Sequence, residues 1–148
     1  MLTTGFPYDR WTNPDNNLDY FGYFLTRARA VRCLGSAALD LMRQGFDRGC
    51  RGVKLAPLVH GFSFTEPVLE EVAAACAEQG FPVYSHVLPK PGATTTDYAS
   101  LARRCPKTPF ILGHMGFGPG DADAIELAVE LDNLYLETEL GPIGLLGS

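Results

Sequence analysis

FPVYSH (residues 81–86) and PFILGHMG (residues 109–116) are the two stretches on which the fold turns. Each is a short apolar run that ends in or beside a histidine, His86 in the first and His114 in the second, with a helical segment between them. In a parallel α/β fold the C-terminal ends of the strands are where chemistry sits. Two of the chain's three histidines thus fall at equivalent strand ends, 28 residues apart, in successive strands. Neighbouring parallel strands lie about 4.8 Å apart, so residues at matching heights can address one small site. Imidazole suits either zinc ligation or proton transfer near neutral pH. The plainer reading of a single such histidine is a hydrogen-bonded residue of the core or rim. Two at equivalent positions favour function.

Outward from this pair the same unit repeats. Upstream, Ser36 can cap a helix running to about Arg48, with Leu39, Met42 and Phe46 inward and Gly49 as its stop. Gly45 weakens that helix by about 1 kcal/mol relative to alanine. GVKLA (52–56) then reads as a strand. Thr65 is the expected cap of the next helix, with Pro67 in its first turn, Val68, Leu69, Val72, Ala73 and Cys76 inward, and Gly80 ending it. The strand PVYSHV (82–87) follows, then a Pro/Gly loop and a helix near Thr96 to Arg104. FILGH (110–114) is the third strand. Asp121 opens a helix carrying Ile125, Leu127, Ala128 and Leu131, and NLYLET (133–138) is the fourth strand. The strand runs are apolar rather than alternating, as in a parallel sheet covered on both faces. Right-handed crossovers leave two architectures: a doubly wound open sheet, or an arc of a (β/α)₈ barrel.

The flanks differ from this middle. Residues 1–35 form an aromatic-rich segment, with Phe6, Tyr8, Trp11, Tyr20, Phe21, Tyr23 and Phe24 among turn formers and a helix expected from about Leu18. Arg27, Arg29 and Arg32 read as a solvated basic face rather than an anion site. Residues 36–140 hold the βα units, and 141–148, with three glycines and a proline, read as a flexible tail.

Composition narrows the function. A net charge of −5 with no long basic run argues against nucleic acid or an anionic membrane as partner. The four cysteines, Cys33, Cys50, Cys76 and Cys105, show no C-x-x-C spacing, which disfavours a zinc ribbon. With no secretory apolar segment after Met1 and no apolar run near 18 residues, a reduced, cytoplasmic, soluble protein is expected.

Other residues carry groups capable of chemistry. Lys54, near the end of GVKL, could bind a substrate carboxylate or, if carboxylated, bridge two metals; a lysine snorkelling from the sheet rim is the ordinary alternative. Glu137 and Glu139 could orient a ligand histidine, or simply be exposed strand ends. His60 stands in the loop PLVHGF, where exposure is the usual reason for a histidine. Gly116, Gly118 and Gly120 suggest a phosphate loop, but their G-x-G-x-G spacing lacks the third glycine of G-x-G-x-x-G and a Walker lysine. Ser85 is no nucleophile elbow, because G-x-S-x-G is absent.

RGVKLAP (51–57), FPVYSH (81–86), FILGHMG (110–116) and NLYLETE (133–139) together resemble the amidohydrolase-related family. These are metal-dependent (β/α)₈-barrel hydrolases and decarboxylases that include aminocarboxymuconate-semialdehyde-decarboxylase-like enzymes. The resemblance covers roughly residues 45–140 and implies a partial TIM barrel of about four parallel βα units, strands four to seven. It implies His86 as a metal ligand, His114 as the catalytic histidine, and a divalent metal, zinc by expectation. It further implies hydrolysis of a C–N or C–O bond in a small substrate, a carboxylate in one reading, with decarboxylation or a non-catalytic assembly role as alternatives. The family's H-x-H pair and its strand-eight aspartate do not occur in this string. A barrel fragment is therefore expected, either a truncated or split gene product or a half-barrel that a second copy or a complementing chain completes.

Overall fold

The computed structural model describes residues 36–57, 61–117 and 121–137. The expected N-terminal helix, His60, Gly118, Gly120, Glu139 and the C-terminal tail lie outside the described residues.

Among the described residues four helices alternate with four strands: α1 (Ser36–Asp47), β1 (Val53–Leu55), α2 (Val68–Gln79), β2 (Val83–Ser85), α3 (Thr95–Arg104), β3 (Phe110–Leu112), α4 (Ala122–Glu130) and β4 (Leu134–Leu136). The strands form one parallel sheet in the order β1-β2-β3-β4. This order separates the two architectures. A doubly wound sheet reverses direction at a switch point. Here each strand adds beside its predecessor, and right-handed crossovers then place every helix on one face. That is the arc of a barrel, with helices outside and a second face turned inward.

Burial follows this division. Val53, Leu55, Val83, Ser85, Phe110, Leu112 and Leu134, on the helix side, are buried. On the inner side Lys54, Tyr84 and Tyr135 are only half-buried, while Ile111 is buried. Tyr98 of α3 ties the layers together. Its ring packs against Phe64 and Phe110, and its hydroxyl reaches the carbonyl of Val83 at 2.8 Å and that of Ile111 at 3.2 Å. Asn133, just before β4, donates from Nδ2 to the carbonyls of Ala102, Cys105 and Thr108 at 3.0–3.1 Å, holding the end of α3 against the sheet. Arg103 pairs with Glu130 of α4 and Arg104 with Glu70 of α2, at the surface.

Helix ends show where local chemistry speaks. Gly80 is left-handed, at φ 67°, and closes α2 in a Schellman pattern through Phe81 N to Cys76 O and Gly80 N to Ala77 O. Thr94 and Asp97 form a capping box on α3, one residue earlier than the expected start. Thr65 does not cap α2: its hydroxyl pairs with Ser63 Oγ at 2.8 Å, and Pro67 holds the capping position without a side-chain bond. The loop claims Thr65 because Ser63 is itself fastened to the Gly92 carbonyl. Asp121 caps α4 as expected, yet Ile125 is 52% exposed. The buried side of α4 runs through Ala124, with Leu127 and Leu131 partly buried against the core, which turns Ile125 and Val129 outward.

Among the described residues no helix is long and apolar enough to cross a membrane. Cys50, Cys76 and Cys105 are free thiols, and burial pushes Cys76 up to about 12. It acts as a small hydrophobe of the core.

Candidate active site at the strand ends

Strand alternation puts Tyr84 and His86 on the same, inward face of β2 and its continuation. Tyr84 pairs with Lys54 on β1 and with Ile111 on β3, which in turn pairs with Tyr135 on β4. Two residues further along this register, His86, Gly113 and Glu137 come level at the C-terminal end of the sheet. A bond from Glu137 N to Leu112 O at 2.9 Å extends the β3–β4 ladder to that height. Lys54 sits one step below, with Nζ 5.3 Å from the centroid of the Tyr84 ring.

His114 arrives by a different route. The expected strand FILGH ends at Leu112, and the chain turns through Gly113–Met115 with His114 at φ 56° and Met115 at φ 57°. Two successive non-glycine residues in the left-handed region carry strain that surrounding contacts must hold. Glu137 supplies them. Its Oε2 accepts from His114 N at 3.1 Å, and its carbonyl accepts from Met115 N at 2.9 Å. The turn swings the His114 ring over Gly113 onto His86, with centroids 4.7 Å apart and planes at 28°. The sequence-selected histidines therefore meet.

Glu137, one of the two expected strand-end glutamates, is 9% exposed and connects the site. Its Oε2 lies 3.7 Å from His114 Nδ1 and accepts from the Tyr84 hydroxyl at 3.2 Å. That hydroxyl is also 3.2 Å from His86 Nε2. Tyr84 and Gly113 were not singled out from sequence. A signal existed for Tyr84, which stands two residues before His86 and so shares its face. Gly113 had none, because its need is set by other strands: a Cβ there would lie 2.4 Å from Tyr84 Oη and 2.7 Å from His86 Cδ2.

Burial, with the neighbouring Lys54 and His114, lowers the pKa of His86 to about 4, against the opposing carboxylate of Glu137. It is neutral at pH 7, the form in which imidazole ligates metals. His86 thus fits a metal as one donor. The described residues contain no group of three or more His, Cys, Asp or Glu able to hold an ion. A catalytic zinc takes about three protein ligands, so the others would come from outside the described residues.

The glycine-rich turn after His114 offers no phosphate cradle among its described residues. Asp121 Oδ2 accepts from Phe117 N at 3.0 Å and its Oδ1 from Ala124 N at 3.2 Å, so a carboxylate already takes these donors. Burial alone would raise the Asp121 pKa, but bonds from the Thr95 hydroxyl and the backbone of Phe117, Ala124 and Asp123 outweigh it and lower the pKa.

Comparison with known proteins agrees with the fold. An uncharacterised TIM-barrel protein from Bordetella bronchiseptica superposes with a TM-score of 0.57 at 24% identity, over 69% of this chain and 38% of that one. The chain thus spans well under half of that barrel's length. No curated protein matches it. The amidohydrolase family model matches residues 24–142. That match takes in most of the sequence, and on it the chain belongs to the amidohydrolase family.

Proposed function

We propose that this chain carries part of the active site of a metal-dependent hydrolase that cleaves a C–N or C–O bond in a small, carboxylate-bearing substrate. One observation carries the reading: two imidazoles stack at 4.7 Å at the C-terminal ends of successive parallel strands, with Glu137 bonded to the backbone N–H of His114 and 3.7 Å from its Nδ1. His86, neutral and half-buried, would hold the metal. When bound, such an ion polarises a carbonyl or lowers the pKa of a water toward ~7. His114 takes and returns the proton. Glu137, beside Nδ1, favours the proton there and leaves Nε2 to face the reacting atoms. Lys54 offers its ammonium to a substrate carboxylate. That pairing favours hydrolysis over decarboxylation, because a carboxylate held against a cation is stabilised in its ionised ground state.

The test uses the full-length protein, loaded with zinc and assayed on lactones, amides and muconate-type acids. His114→Ala should lose at least about 100-fold in kcat, and Lys54→Met should raise KM for carboxylated substrates. His86→Ala should lower metal content. A protein that retains no metal and turns over none of these substrates overturns the proposal.

A further inference from the structure

We infer that Tyr84 is a positioning residue that fixes His86 in the tautomer with its proton on Nε2, leaving the lone pair on Nδ1. The argument is one of proton supply. The Tyr84 hydroxyl lies 3.2 Å from Glu137 Oε2 and 3.2 Å from His86 Nε2. A phenol has one proton to donate, and a carboxylate can only accept. The proton of Tyr84 goes to Glu137, so the contact with His86 is a hydrogen bond only if Nε2 brings its own. A neutral imidazole carries one N–H, and Nδ1 is then the basic nitrogen. The relay runs Nε2–H to Oη–H to Oε2, from β2 across β3 to the end of β4.

Three features favour this arrangement. Tyr84 and His86 stand edge to face, at 72° with centroids 5.4 Å apart, and of the two imidazole nitrogens it is Nε2 that meets the phenol oxygen, at 3.2 Å. Gly113 clears the path, since any Cβ there would collide with Tyr84 Oη. Glu137 is pinned from a third side by the backbone N–H of His114. One buried carboxylate therefore governs both histidines, His114 directly and His86 through Tyr84. The inference rests on the proposed function only in supposing that the His86 lone pair is used in the chemistry.

Long-range ¹H–¹⁵N correlation on ¹⁵N-histidine-labelled full-length protein at pH 8 reads the tautomer directly. The expected result is a His86 with a pyrrole-type Nε2 and a pyridine-type Nδ1. A wild-type spectrum with the proton on Nδ1 overturns the inference, whatever the variants do. Tyr84→Phe keeps the ring and removes the hydroxyl. It should shift both His86 nitrogens toward averaged values and weaken zinc binding by about 10-fold. An unchanged His86 pattern in Tyr84→Phe also overturns it. A protein with the Nε2–H tautomer that binds no zinc and hydrolyses nothing would sink the hydrolase reading and leave the role of Tyr84 standing.

Discussion

Gly113→Ala is the sharpest probe of the site, because one added methyl meets both of its first neighbours. The new Cβ would lie 2.4 Å from Tyr84 Oη, 2.7 Å from His86 Cδ2 and 2.8 Å from Tyr84 Cζ. Real Cβ contacts essentially never fall below 3.0 Å, so the tyrosine must retreat by more than half an ångström. Its freedom to do so is small, for its hydroxyl is bonded to Glu137 and its ring stands against His86. Overpacking of this kind costs about 1–3 kcal/mol, and losing a hydrogen bond to a buried carboxylate adds about 1–3 kcal/mol. The two overlap, because moving Tyr84 relieves the clash by breaking the bond, so a total of about 2–4 kcal/mol is expected. Urea denaturation followed by circular dichroism should show the midpoint falling with the m-value unchanged. Gly80→Ala is the reference: its Cβ meets nothing within 4 Å, and only its left-handed φ of 67° is penalised, at roughly 1–2 kcal/mol. A Gly113→Ala protein within about 0.5 kcal/mol of wild type, the range of an ordinary surface substitution, would refute the packing described here.

Asn133→Asp should be more damaging than Asn133→Ala, since it turns a donor to three carbonyls into a carboxylate facing them; a loss of about 3 kcal/mol or more is expected in the same denaturation assay. Tyr98→Phe, which deletes a fully buried hydroxyl bonded to the Val83 and Ile111 carbonyls, should cost about 1–2 kcal/mol with the ring packing intact. For His86 the native pKa of about 4 lies below the ordinary value of 6.5. Between those values the unfolded chain binds a proton that the native chain does not, so this residue's contribution to stability is full above pH 6.5 and is lost as pH falls toward 4. Unfolding free energies at pH 7 and pH 5 should therefore differ less in His86→Gln than in wild type, and an equal difference would contradict the neutral, half-buried imidazole.

Much of the fold is legible in the residues themselves. Leu69, Val72, Ala73 and Cys76 recur at helical spacing and are all buried; Gly80 announces the end of α2. FPVYSH and FILGH mark two strands and the histidines that follow them. What is not legible depends on neighbours remote in sequence. The in-order arrangement of strands decides between barrel arc and open sheet, and strand patterns alone are silent on order. Ile125 looks inward by hydrophobicity but is displaced by the small Ala124, because α4 packs closely on its neighbours. Tyr84 and Glu137 are 53 residues apart, and only the β2–β3–β4 register brings them into contact. Likewise FILGH reads as strand to its last letter, whereas Glu137 pulls His114 into a left-handed turn.

The in-order sheet also bears on how the chain is made. Each strand after the first pairs with the one before it, at separations of 30, 27 and 24 residues: Val53 with Val83, Val83 with Phe110, Phe110 with Leu134. Such pairings close loops of modest length, and the entropic cost of closing a loop grows only slowly with its length. During synthesis every unit therefore leaves the ribosome with its docking edge already laid down by the one before, so the arc can grow a stave at a time from its N-terminal side.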